Sequence, residues 1–151
     1  MQVAISADHA GFETKQQLVT ALTERGYTIT DLGTHSTEPV DYPDFAEAVA
    51  QAIRSNQVER GIIVCGSGAG VSIVANKFPG VRAAVCHDLY TAHQAVEHDD
   101  LNVLCLGARV ISTKLALEIS ENFLKARFTG EDRHRRRLDK LLAVETKFLR
   151  S

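Results

Sequence analysis

Hydrophobic positions along this chain follow two alternating periods. Short apolar or β-branched runs occur at Val3–Ser6, Tyr27–Leu32, Gly61–Cys65, Arg82–Cys86 and Asn102–Leu106. Between them, apolar residues recur at helical spacing. Phe12, Leu18, Val19 and Leu22 share one face, as do Phe45, Val49, Ala52 and Ile53, and then Leu115, Ile119 and Phe123. Strands alternating with helices predict a parallel sheet, because parallel neighbours need a crossover and crossovers are usually helical. The near-continuous apolar character of Ile62–Cys65 and Val103–Leu106 fits strands buried on both faces. The pattern therefore predicts an α/β fold: a three-layer α/β/α sandwich around a five-stranded parallel sheet.

The end of the chain departs from this alternation. "TGEDRHRRRLDKLLAVETKFLRS" opens with a turn at Gly130 and then places Leu138, Leu141, Leu142, Phe148 and Leu149 at helical spacing. The spacing predicts an amphipathic helix over about 132–149. With the sheet already covered, this helix is expected to pack on another subunit.

Composition narrows the function classes. With 151 residues, 44% of them hydrophobic and 24% charged, the chain is long enough for one well-buried core and short for two. A single domain over residues 1–151 is expected, with no repeat, linker or low-complexity segment. A formal net charge of -2 gives no reason to expect nucleic acid or an anionic membrane as partner. No apolar run reaches the ~18 residues of a membrane span, and the N-terminus lacks a basic-then-apolar signal pattern. Of the three cysteines, Cys86 and Cys105 lie within apolar runs and read as buried structural thiols. Reduced thiols point to a cytoplasmic protein rather than a disulfide framework.

In open α/β sheets ligands gather beyond the carboxyl ends of the strands. After the first run come Asp8 and His9, and after the second comes Tyr42. The third ends in Cys65 and "GSGAG". The fourth is followed by His87 and Asp88, with Glu97–Asp100 ten residues on, and the fifth by Arg109. The glycine loop fits neither common nucleotide motif. A dinucleotide fingerprint needs a third glycine or alanine where Val71 stands, and a P-loop needs Gly-Lys-Ser/Thr where the chain has Gly70-Val71-Ser72. What remains is a bare strand-to-helix turn whose backbone N–H groups point at an anion. A structural glycine turn would have the same sequence, and the cysteine is what separates the two readings. A thiol at a helix N-terminus has its pKa lowered from ~8.5. A thiolate facing several N–H donors suits removal of a proton beside a carbonyl, with the enediolate oxygen held by those donors.

Taken together, "DHAGFETK", "DYPDFA", "VCGSGAGVSIVANK", "HDDLNVLCLGARV" and "RHRRR" resemble the ribose-5-phosphate isomerase B family, in order and in spacing. That family also includes the galactose-6-phosphate isomerase subunits. The resemblance covers nearly the whole chain. It implies a Rossmann-like sandwich, a homodimer or homotetramer with active sites shared between subunits, and aldose–ketose isomerisation through an enediol without metal or cofactor.

Carried over residue by residue, the resemblance makes Cys65 the base between C2 and C1 and His98 the group that opens the furanose ring. Gly66, Ser67, Gly68, Ala69 and Gly70 match the loop that holds the enediolate, with Ser67 where many relatives have threonine. Asp8 and Tyr42 match sugar-contacting positions. His9, Arg109, Arg133 and Arg137 match the phosphate cluster, in keeping with the preference of guanidinium for phosphate oxygens. One branch of the family replaces the cysteine by a glutamate at the position of Val71, so this chain resembles the cysteine branch. Asp99 stands where many relatives have asparagine beside the ring-opening histidine, which changes the hydroxyl contacts expected there.

Several of these residues have a second reading. Asp8 reads equally as a helix cap before Ala10–Arg25. His35, His87, His93 and His134 read as surface or loop histidines, and Arg135 and Arg136 as a solvated basic face. No His/Cys/Asp cluster has metal-ligand spacing. Two alternatives stay open: an isomerase of another aldose phosphate (galactose, allose or tetrose phosphate), or a phosphometabolite-binding module without chemistry. The Cys65/His98 pair favours an enzyme, because a binding module needs neither a base nor a ring opener.

Overall fold

The computed structural model describes residues 1–149. Five strands alternate with helices: β1 (Gln2–Ala7), α1 (Phe12–Glu24), β2 (Thr28–Asp31), α2 (Tyr42–Arg54), β3 (Arg60–Cys65), α3 (Ala69–Ala75), β4 (Ala83–Val85), α4 (Leu89–Asp99), β5 (Val103–Gly107), α5 (Thr113–Lys125) and α6 (Asp132–Phe148). All strand pairs are parallel, in the order β2-β1-β3-β5-β4. This is the α/β/α sandwich that the alternation predicts.

Side chains alternate across the central strands, as a parallel sheet covered on both sides requires. Val3, Ile5, Ile62, Val64, Leu104 and Leu106 face one layer, packed with Leu18 and Leu22 of α1, Ala92 and Val96 of α4, and Ile119 and Phe123 of α5. Ala4, Ile63, Cys65, Val103 and Cys105 face the other, against Val49 and Ile53 of α2 and Val71 and Ala75 of α3. Gly61 lets α2 settle on β3: a Cβ there would lie 2.3 Å from Val49 Cγ1.

Two buried cations fasten the layers. Lys15 of α1 is fully buried, and its Nζ donates to both carboxylate oxygens of Asp31 at the end of β2, at 2.7 and 2.6 Å. Removing one partner of such a pair costs about 3–5 kcal/mol, because the other charge is left buried and uncompensated. Arg60, at the opposite end of the sheet, donates to the carbonyls of Phe123 (2.5 Å) and Ala126 (2.7 Å). Phe123 lies in the last turn of α5 and Ala126 is its C-cap, where carbonyls have no intrahelical donors left for them.

The strand order fixes where a ligand can bind. From β1 the chain turns to β2 on one side through α1, and from β3 it passes to the other side through α3 on the opposite face. The switch point, where ligands of doubly wound sheets bind, is the crevice between the carboxyl ends of β1 and β3.

Helix α1 starts at Phe12, two residues later than the Ala10 expected from sequence, and its N-cap is Gly11. A Cβ on Gly11 would sit 2.4 Å from the Val64 carbonyl oxygen, so only glycine lets the loop cross the end of β3 here.

Candidate active site

Asp8 and Cys65 meet at the switch point because the two strands that carry them are neighbours. The Asp8 N–H donates to the Val64 carbonyl at 3.2 Å, continuing the β1–β3 ladder by one bond. The Asp8 carboxylate accepts from the N–H groups of Ala10 and Gly11, at 3.0 and 3.1 Å. It organises the turn before α1 rather than serving as that helix's N-cap, a correction to the cap reading. His9, the next residue, accepts the Val40 N–H on Nδ1 at 3.1 Å, which leaves the proton on Nε2.

Cys65 is the last residue of β3 and only 6% exposed. Its Sγ accepts the Gly68 N–H at 3.0 Å. That bond needs the chain to double back within three residues, and Gly68 does so at φ +83, where an L side chain is strained. The Ala69 N–H is bonded to Ser67 Oγ at 3.2 Å. The next amides, of Gly70 and Val71, belong to the first turn of α3 and have no partner further back in their own helix.

Tyr42 and Arg109 close the two sides of this loop. A Cβ on Gly70 would come within 2.6 Å of the Tyr42 ring, so the ring lies directly on the loop backbone. The Arg109 N–H donates to the Gly66 carbonyl at 3.1 Å, and its guanidinium would lie 3.1 Å from a Cβ on Gly66. Asp8, Tyr42, Cys65, Gly66, Ser67, Gly70 and Arg109 together line a cleft of about 490 Å³. His87 acts behind it. Its Nε2 accepts the Gly107 N–H at 2.8 Å, and Gly107 backs onto Ser67.

His98 and Arg133 form a separate group, and none of the residues lining the Cys65 cleft belongs to it. His98 lies on α4, where Nδ1 is 2.9 Å from the Gln94 side-chain nitrogen. Its ring stacks on His134 of α6, with centroids 4.0 Å apart. Arg133 Nε donates to His134 Nε2 at 3.3 Å, and Arg137 stands one turn further along α6 with its side chain exposed. Asp99, at the end of α4, is exposed in a groove bordered by Leu141, Val144 and Glu145 of α6.

His134 is 2% exposed, which corrects its reading as a surface or loop histidine. Burial, reinforced by the neighbouring His98, holds its pKa below the usual 6.5. A histidine at the first turn of a basic amphipathic helix gives no sequence signal of being covered by another helix. His87 and His93 are half-buried, the second within 3.3 Å of Glu97, and His35 is exposed. The thiols of Cys86 and Cys105 are buried, and burial pushes the Cys86 thiol up to about 11 and that of Cys105 higher still. Neither resembles a reactive thiol. No group of three or more His, Cys, Asp or Glu side chains suited to a metal occurs among the described residues. No helix among them is long and apolar enough to cross a membrane.

The proteins that share this parallel α/β/α sandwich are aldose–ketose isomerases, the class to which this chain belongs. A family model described as ribose/galactose isomerase matches residues 3–141, and the chain is a member of that family. It is 43% identical to ribose-5-phosphate isomerase B of Escherichia coli over 144 residues, 95% of this chain and 96% of that protein. It is 44% identical over 131 residues to a D-erythrulose-4-phosphate isomerase of Pectobacterium atrosepticum, 86% of each chain. The solved structure of Clostridium thermocellum ribose-5-phosphate isomerase B superposes with a TM-score of 0.95 at 47% identity, covering 98% of this chain and 99% of that one.

Proposed function

We propose that this enzyme interconverts ribose 5-phosphate and ribulose 5-phosphate, with Cys65 as the base and His98 opening the ring. The observation that carries the reading is the Cys65 sulfur at the switch point, facing a cleft and held by the Gly68 amide at 3.0 Å. Cys65 as thiolate takes the proton from C2 of the open-chain aldose. The electron pair forms the C1–C2 double bond, and the C1 carbonyl oxygen becomes an oxyanion facing the amides of the Gly66–Gly70 loop. The thiol then returns the proton to C1, the O2 hydroxyl proton passes to O1, and C2 becomes the carbonyl.

Asp8 and Tyr42 contact sugar hydroxyls in this scheme, with Asp99 beside the ring-opening histidine. His9, Arg109, Arg133 and Arg137 hold the phosphate. The separation of His98, Arg133 and Arg137 from the Cys65 cleft within one chain supports a homodimer or homotetramer in which each site takes its second half from the partner. The exposed Leu141, Val144 and Phe148 of α6 supply an apolar face for that contact. Residues 1–151 read as a single isomerase domain. Three unpaired thiols among the described residues suit a reducing, cytoplasmic setting in carbohydrate metabolism.

A second reading has its own support. The Pectobacterium relative is named for a four-carbon substrate and is as similar in identity as the ribose-5-phosphate isomerase of E. coli. Initial rates on four-, five- and six-carbon aldose and ketose phosphates decide between them. The highest kcat/KM is expected for the five-carbon pair. A preference for the tetrose phosphate would transfer the assignment, and no turnover of any of them would reject the isomerase reading for this site.

A further inference from the structure

The proposed reaction uses the cluster between α4 and α6 through His98, yet the neighbour that fixes this ring has no part in that scheme. Gln94 and His98 are four residues apart on α4, so their side chains share one face. The Gln94 Nε2 lies 2.9 Å from His98 Nδ1. A side-chain amide nitrogen only donates, so Nδ1 is the acceptor and carries no proton. In the neutral ring the proton then sits on Nε2. The His134 ring, inclined by 27° at 4.0 Å, covers a face of the imidazole and occupies neither nitrogen. His134 is itself fixed: Nε2 accepts from Arg133 Nε, so Nδ1 carries the proton toward Thr129 Oγ1 at 2.5 Å.

We infer that Gln94 is a positioning residue for ring opening: it locks His98 in the tautomer that presents an N–H, rather than a lone pair, to the sugar. The inference rests on the isomerase reading above. Opening a furanose breaks the bond between C1 and the ring oxygen, and that oxygen leaves with the electron pair. Water carries the proton from the C1 hydroxyl to the departing oxygen as the C1 carbonyl forms, so no proton is gained or lost overall. The His98 Nε2–H donates a hydrogen bond to the oxygen while its charge builds. The other tautomer would oppose a nitrogen lone pair to the oxygen lone pairs and give no help. Nothing in the sequence marks Gln94, because an i,i+4 glutamine–histidine pair on an amphipathic helix is otherwise an ordinary half-buried contact.

The test is long-range ¹⁵N–¹H correlation of the histidine rings in the full-length, substrate-free protein at about pH 8, where an ordinary imidazole is neutral. His98 is assigned by the signals missing from His98→Asn. The wild-type ring should show a protonated Nε2 and a bare Nδ1. In Gln94→Glu the carboxylate accepts from Nδ1–H, so the pattern should invert. Initial kcat on ribose 5-phosphate should then fall about 10²-fold, the low end of the span for a positioned proton-transfer group, because the histidine stays in place and only its hydrogen bond is misdirected. The rate from ribulose 5-phosphate, which cannot form a furanose because O5 carries the phosphate, should fall much less. A wild-type ring protonated on Nδ1 overturns the inference without any variant. Inversion in Gln94→Glu with unchanged aldose turnover also overturns it. Since the spectrum needs no substrate, it is independent of the activity assay, and an inactive wild type rejects the isomerase reading instead.

Discussion

The imidazole rings of His98 and His134 are stacked, centroid to centroid at 4.0 Å, and the second is buried while the first is half-exposed. Burial favours the neutral form of His134, so its pKa in the folded protein lies below the unfolded value of about 6.5. The stabilisation this represents is complete above the unfolded pKa and is lost as pH falls from there toward the folded pKa, because the unfolded chain binds the proton first. His134→Phe keeps a ring in the stack and removes the titration. Urea midpoints measured from about pH 7.5 to 5 should decline more steeply for wild type than for His134→Phe. Parallel curves would show that the burial of His134 is not felt on charging.

Cys65 offers a direct chemical test. Cys65→Ser should lower kcat by about 10²–10⁴, the usual span for a positioned base, while substrate still binds. Iodoacetamide should inactivate wild type, and ribose 5-phosphate should slow that inactivation. Cys86 and Cys105 are buried with raised thiol pKa values, so they should not account for the alkylation, and mass spectrometry can locate it on Cys65. Near-normal turnover by the serine variant removes Cys65 from the role of base.

A shared site predicts rescue by mixing. Cys65→Ala and Arg137→Ala should each be nearly inactive alone. Unfolded and refolded together in equal amounts, they give about half mixed dimers by random pairing. Each mixed dimer carries one doubly defective site and one intact site, so about a quarter of all sites should work. Mixed dimers confirmed by native mass spectrometry but without activity would place both groups in one chain's site.

Gly107→Ala probes the support behind the glycine loop. A Cβ there would lie 2.7 Å from the Ser67 carbonyl carbon and oxygen, and backbone atoms cannot step aside as a flexible side chain could. The loop must move, at a stability cost of about 1–3 kcal/mol for overpacking. Displacement of its amides should lower kcat by about 10². Unchanged kcat and urea midpoint would show that the loop does not depend on this contact.

Much of the fold was legible because the central strands alternate nothing: Ile62–Cys65 and Val103–Leu106 are apolar on both sides and lie within β3 and β5. The outer apolar runs extend beyond the strands they contain. Tyr27–Leu32 shortens to Thr28–Asp31 and Arg82–Cys86 to Ala83–Val85, since edge strands have a ladder on one side only. Strand order left no trace in hydropathy, so the switch point, and with it the meeting of Asp8 and Cys65, could be expected but not located. Lys15 reads as a polar helix position, yet Asp31 draws it fully inside. His134 has no sequence signal for a related reason: its stack on His98 depends on α4 lying against α6, a pairing between elements more than thirty residues apart.

Cys65 ends the central strand, which is hydrogen-bonded to β1 on one side and β5 on the other, whereas His98 lies on a helix that follows the edge strand β4 and packs beneath the C-terminal helix. Local opening is most costly at a sheet's centre and cheapest near its edges and chain ends. Amide protons around Cys65 should thus be among the slowest to exchange with deuterium, and those around His98 faster. If Cys65 moves the proton and His98 opens the ring, as proposed above, those two steps are mounted on parts of unequal thermal endurance. Gentle warming would then cost the enzyme its grip on the closed sugar first, while it could still shuttle a proton along one already open.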